Sequence, residues 1–127
     1  MDILLVEDNL ENAKLFIRIL QTAGHKVVHR TRGLDGMREA HEHKFSVIIL
    51  DFDLPDIDGA QVGLALRRQI GTTPLIALTA QAEKVTRAKA KVFGFDAFIS
   101  KPCTEKDLLK TVALVTGGVQ TPEKDTP

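Results

Sequence analysis

The sequence predicts a single α/β domain, a doubly wound five-stranded parallel sheet with five helices, and two observations carry that prediction. Five short apolar runs recur at Ile3–Val6, Lys26–His29, Val47–Leu50, Leu75–Leu78 and Ala97–Ile99. Four of them are near-continuously apolar rather than alternating, as expected of strands covered on both faces. Helix-length stretches separate the runs, which is the signature of repeated βαβ units and a parallel sheet. Right-handed crossovers then distribute the helices over both faces. The 127 residues suit one domain, and 43% hydrophobic with 27% charged residues is the composition of a chain that folds.

Taken in order, Ile3–Val6 opens the chain as a buried strand. Asn12–Thr22 then places Ala13, Phe16, Ile17 and Leu20 on one stripe, with Gly24 as the stop. Lys26–His29 is the least apolar run and reads as an edge strand. Leu34–Glu42 is the second helix, Val47–Leu50 the third strand and Gly59–Gln69 the third helix. Leu75–Leu78, Gln81–Val92, Ala97–Ile99 and Glu105–Val115 complete the alternation. The folded domain is expected over residues 1–116. The remainder, 117–127, reads GGVQTPEKDTP; it is polar, aperiodic and punctuated by Gly and Pro, and is expected to be a flexible tail.

Charge and cysteine usage narrow the function classes. Seventeen Lys+Arg balance seventeen Asp+Glu, which argues against a sequence-blind nucleic-acid binder, since that needs a basic footprint. The single Cys103 cannot form an intramolecular disulfide, and no Cys/His cluster offers zinc ligands. No signal-peptide pattern opens the chain, and no apolar run approaches the ~20 residues of a membrane span. A cytoplasmic protein is the expectation. Charge is nonetheless uneven: residues 1–58 carry a formal −4 and residues 59–127 a formal +4. The acidic excess gathers in Glu7-Asp8 and in Asp51, Asp53, Asp56 and Asp58.

In an open parallel sheet, ligands sit outside the carboxyl ends of the strands. Applied to this chain, that rule gathers Glu7-Asp8 from the first strand, Asp51 from the third, Thr79 from the fourth and Lys101-Pro102 from the fifth. Each residue also has a plainer reading. Asp8 or Asn9 serves as a helix cap, Thr79 likewise, and Asp56 as a turn and cap residue after Pro55. The combination is more informative. Crowded carboxylates raise one another's pKa unless a cation intervenes, and hard oxygen donors in a small site suit Mg²⁺. A divalent cation, a carboxylate nucleophile, and a lysine and hydroxyl to hold incoming oxygens together suit phosphoryl transfer onto the carboxylate.

Four strings at these strand ends, LLVEDN at 4–9, IILDFDLPDIDG at 48–59, PLIALTA at 74–80 and FISKP at 98–102, resemble the response regulator receiver domain of two-component signalling. They occur in order, with 43, 28 and 22 residues separating Asp8, Asp51, Thr79 and Lys101. The resemblance implies a flavodoxin-like topology with strand order 2-1-3-4-5, a chemotaxis receiver being the familiar instance of that order and the order therefore no independent deduction. It implies Asp51 as phosphoacceptor and metal ligand, Asp8 as direct metal ligand and Glu7 as a ligand acting mainly through water. Asp53 would offer its backbone carbonyl to Mg²⁺, for which Mn²⁺ could substitute. Thr79 resembles the switch hydroxyl, Lys101 the phosphate-pairing lysine, and Pro102 the proline of a cis peptide bond. Phe98 falls at the switch aromatic; a plain core aromatic is the other reading. The Asp53 side chain departs from the commonest pattern. At the mouth of the crevice it would either orient the hydrolytic water or be spent on a surface lysine.

The implied function is a phosphoacceptor that catalyses its own aspartyl phosphorylation and dephosphorylation without being a dedicated enzyme. Its partners would be a sensor histidine kinase or a histidine phosphotransfer protein. A downstream protein would dock on the face made by the fourth helix, fifth strand and fifth helix, and a homodimer through that face is the other arrangement. Lys84, Arg87, Lys89 and Lys91 against Glu83 make that helix basic, which favours an acidic protein surface unless the charges are simply solvated. No DNA-binding domain and no membrane contact are expected. The alternatives are a phosphorelay intermediate or the excised receiver of a larger hybrid kinase. A magnesium-dependent phosphatase of the haloacid-dehalogenase class is the enzymatic rival, because ILDFDLP mimics its DxD motif, although Pro55 stands where that class prefers Thr or Val. A flavodoxin-like flavin protein is disfavoured because Glu7-Asp8-Asn9 would repel phosphate. The four histidines, His25, His29, His41 and His43, read as incidental.

Overall fold

The computed structural model describes residues 1–80 and 87–117. Strands β1 (Asp2–Val6), β2 (Lys26–Arg30), β3 (Val47–Asp51), β4 (Leu75–Thr79) and β5 (Ala97–Ser100) alternate with helices α1 (Leu10–Thr22), α2 (Gly33–Glu42), α3 (Gly59–Ile70), α4 (Arg87–Val92) and α5 (Glu105–Val115). All strand pairings are parallel and the order is β2-β1-β3-β4-β5. The doubly wound topology expected from the sequence is the one observed. The least apolar run, β2, lies at an edge as expected. Residues 81–86 of the expected fourth helix and 118–127 of the expected tail lie outside the described residues.

Strand alternation divides the core into two layers. Ile3, Leu5, Val47, Ile49, Ile76, Leu78 and Ile99 pack with Phe16 and Leu20 of α1 and with Leu108 and Val112 of α5. Their neighbours Leu4, Val6, Ile48, Leu50, Leu75 and Ala77 face the other way, onto Val62 and Leu66 of α3 and onto Phe95. The central strands β3 and β4 are buried along their whole length, so their sequences carry no polar face to alternate. Both end in a polar residue, Asp51 and Thr79, where the sheet opens to the crevice.

Helix termini hold the loops around that crevice. Asn9 caps α1, its side chain accepting from Asn12 N at 2.9 Å, which leaves Asp8 free of the capping role. Asp58 caps α3 and Thr104 caps α5. Gly59 is required by contact: a Cβ there would stand 2.3 Å from the Phe52 carbonyl oxygen. At the opposite end of the sheet, the Arg67 guanidinium donates to the Gly71, Thr73 and Gly94 carbonyls and to Asp96. That clamp ties the starts of β4 and β5 together, away from the chemistry.

Candidate phosphoacceptor site

Strand pairing continues past the strand ends and aims the site residues. Glu7 N donates to Arg30 O at 3.0 Å, Phe52 N to Leu78 O at 2.7 Å and Lys101 N to Thr79 O at 2.8 Å. Glu7, Asp51 and Thr79 are 0%, 2% and 1% exposed, while Asp8 is exposed to solvent. Carboxylate oxygens of Glu7, Asp8 and Asp51 lie within 4.8 Å of one another. Lys101 Nζ donates to Glu7 Oε1 and to Asp51 Oδ2, both at 3.1 Å. Asp51 Oδ1 accepts from Asp53 N at 2.8 Å, and Glu7 Oε2 accepts from Asn9 N at 3.2 Å.

One ammonium does not neutralise this cluster. Burial, and then the hydrogen bond and repulsion from Asp51, push the Glu7 carboxyl from 4.5 up to about 7, against the opposing pull of Asn9 N–H and Lys101. Burial alone would lower the Lys101 ammonium; Asp51 and Glu7 outweigh it and hold Lys101 above the ordinary lysine value. Three convergent oxygen ligands with surplus negative charge fit a small hard dication, and the exposed Asp8 leaves a side open to water. The donor set therefore fits Mg²⁺.

Of the expected residues, Glu7, Asp8, Asp51 and Lys101 meet directly. Thr79 joins them through Asp53: its Oγ1 donates to Asp53 Oδ2 at 3.0 Å, and Ala80 N donates to the same oxygen at 3.2 Å. Among the described residues the Asp53 carboxylate thus meets these two donors and no lysine, and Lys84 lies outside the described residues. The Thr79 capping alternative concerns 81–86, outside the described residues. The Lys101–Pro102 peptide bond is cis. Phe98 stands apart from the carboxylates, half-buried. It packs against the Leu75–Ala77 layer and lines a hollow with Lys91, Leu114 and Val115 on the α4–β5–α5 side.

Two residues around the site were missed or misread in the sequence. His29, read as incidental, donates Nε2–H to the Glu7 backbone carbonyl at 2.8 Å. Asp56 is a cap, but of a helix earlier in the chain: Oδ1 accepts from Gly33 N at 3.0 Å and Oδ2 from Leu34 N at 3.3 Å. Arg32, the N-cap residue of α2, makes no such bond itself. Burial would raise the Asp56 carboxyl, but these N–H donors bring it below the ordinary value. The available signal was an α2 that starts without Ser, Thr, Asp or Asn and so needs a cap from elsewhere.

A parallel five-stranded sheet carrying an acidic trio and a lysine at its carboxyl edge defines the class of receiver proteins. The family model for the response regulator receiver domain matches residues 3–113, and the chain belongs to that family. It is 31% identical over 117 residues to the polar-differentiation response regulator DivK of Brucella anthropi, covering 91% of this chain and 95% of the relative. Among solved structures, the receiver domain of the Pseudomonas aeruginosa sensor histidine kinase PA1611 superposes with a TM-score of 0.83 at 28% identity, over 92% of this chain and 98% of that one. In that structure a magnesium ion is coordinated in the active site cleft. Chemotaxis protein CheY4 of Vibrio cholerae gives a TM-score of 0.81 at 30% identity, over 90% and 97%. The haloacid-dehalogenase alternative falls with this assignment. Among the described residues no helix is long and apolar enough to cross a membrane.

Proposed function

We propose that Asp51 is the phosphoacceptor of this receiver, taking its phosphoryl group from the phosphohistidine of a sensor kinase or a phosphotransfer protein. The observation that carries this reading is the buried Asp51 carboxylate, with Lys101 Nζ on Oδ2 and the oxygens of Glu7 and Asp8 within 4.8 Å. Glu7, Asp8, Asp51 and the Asp53 carbonyl would hold Mg²⁺ or Mn²⁺, which supplies positive charge to the phosphoryl oxygens. In the transfer, an Asp51 oxygen attacks phosphorus. The P–O bond forms as the P–N bond breaks, and the electron pair stays on the imidazole, which takes up a proton. Lys101 Nζ neutralises charge on a phosphoryl oxygen, and Thr79 turns its hydroxyl to another. Hydrolysis reverses the state: water attacks phosphorus, the bond to Asp51 breaks, and inorganic phosphate leaves. The chain thus acts on itself and is not a dedicated enzyme.

Output would leave by protein contact, with Phe98 coupling Thr79 to the α4–β5–α5 face, from a domain spanning 1–116 in the cytoplasm. Acetyl phosphate with Mg²⁺ should add one phosphoryl mass, absent in Asp51→Asn; labelling that survives the substitution would refute the assignment. The similarity to a receiver borne by a sensor histidine kinase supports a second reading, an intermediate in a phosphorelay. Return of the phosphoryl group to a histidine phosphotransfer domain tests it.

A further inference from the structure

We infer that the Asp53 carboxylate is an internal latch on Thr79, holding in the unphosphorylated chain the two donors that a phosphoryl group on Asp51 must recruit. The inference rests on Asp51 being the phosphoacceptor. Asp53 Oδ2 accepts both from Thr79 Oγ1 at 3.0 Å and from Ala80 N at 3.2 Å. The hydroxyl and the adjacent N–H form a two-pronged anion seat at the end of β4, and the anion in it belongs to the protein itself.

The seat and the acceptor are held in place from both sides. Asp53 N donates to Asp51 Oδ1 at 2.8 Å, a tight turn that fixes the backbone from which the Asp53 side chain reaches β4. Thr79 lies at the end of a strand buried throughout and is 1% exposed. Its hydroxyl therefore cannot turn to bulk water without cost; leaving Asp53, it needs another acceptor. A phosphoryl group two residues away along the same turn is such an acceptor, and it carries the same sign of charge as Asp53. Each donor has one hydrogen, so the two anions compete. Asp53 is itself exposed, so when displaced its carboxylate is taken up by water, which makes the latch releasable.

The latch sets the threshold of the switch. Before phosphorylation Thr79 is held by Asp53, and afterwards part of the phosphoryl group's binding free energy is used in displacing it. Net hydrogen bonds to charged groups are strong enough for this exchange to alter anion affinity about fivefold. Removing the charge also lessens plain repulsion, so the experiment must separate the two effects.

Beryllofluoride, a phosphoryl mimic, is titrated into the full chain at saturating Mg²⁺ and followed by fluorine and amide NMR. Wild type, Asp53→Ala and Asp53→Asn are compared, in the Thr79 and the Thr79→Val backgrounds. Asp53→Ala should bind about fivefold more tightly than wild type, with Asp53→Asn between them. In the Thr79→Val background, where no hydroxyl is contested, most of the gain should vanish. Equal affinity of wild type and Asp53→Ala would overturn the latch, as would the same gain in both backgrounds, which repulsion alone would give. A wild-type chain that takes up no beryllofluoride at all would instead overturn the phosphoacceptor reading, and the latch with it.

Discussion

Replacing Glu7 by Gln should make the metal-free protein more stable above neutral pH, although the substitution removes an ion pair with Lys101. Glu7 is fully buried and its carboxyl titrates near 7 in the fold, against 4.5 ordinarily. A folded-state pKa above the unfolded value means that the native state binds the extra proton. The stabilisation is complete below pH 4.5 and is lost as pH rises to about 7. At 1.36 kcal/mol per pH unit, the loss amounts to about 3 kcal/mol. Glutamine resembles the protonated acid and cannot ionise, so it escapes the loss. Urea melts in chelator-containing buffer from pH 4.5 to 8 test this, followed by far-ultraviolet circular dichroism because the chain has no Trp or Tyr. Wild type and Glu7→Gln should coincide near pH 4.5 and diverge steadily, Gln the more stable, to a plateau above pH 7. The other titrating groups are common to both proteins, so the difference reports this carboxyl together with its interactions with Asp51 and Lys101. Parallel curves across the range would refute the reasoning, and Gln less stable at pH 8 would show that the Lys101 contact outweighs burial.

Three further outcomes are expected. Asp8→Asn relieves repulsion from carboxylates within 4.8 Å; because Asp8 is exposed, metal-free stability should rise by only about 1 kcal/mol. Calorimetric titration should show Mg²⁺ bound about tenfold more weakly by that variant, and unchanged affinity would remove Asp8 from the metal site. Asp56→Ala should cost about 1 kcal/mol in denaturant melts by uncapping α2 from a distance, with amide exchange rising at Gly33 and Leu34. Thr79→Ala should still be phosphorylated on Asp51 yet lose most of the amide shift changes around Phe98 and α5; equal changes in both proteins would break the proposed coupling.

The alternation of apolar runs with helix-length segments was enough to determine a parallel sheet, though not its strand order, because a strand buried on both faces must be apolar at every position and its crossover must have room for a helix. The same pattern placed Glu7, Asp8, Asp51, Thr79 and Lys101 at one edge: parallel strands all point the same way, so residues that end apolar runs are brought together whatever their separation in the chain. Side-chain partners across that edge obey no such rule. Whether Asp53 reaches water, a lysine or Thr79 depends on the turn after β3 and its position beside the end of β4, and only the fold brings those two segments together. Asp56 reads from its neighbours as a turn and cap residue, but which helix it caps is decided by packing of the β3–α3 loop against the start of α2, which brings it to Gly33 and Leu34. His29 looked like one polar residue on an edge strand until pairing with β1 put its ring against the Glu7 carbonyl. The displaced acidity of Glu7 has the same origin, since burial and the nearness of Asp51 are properties of assembled space and leave no trace in the order of residues along the chain.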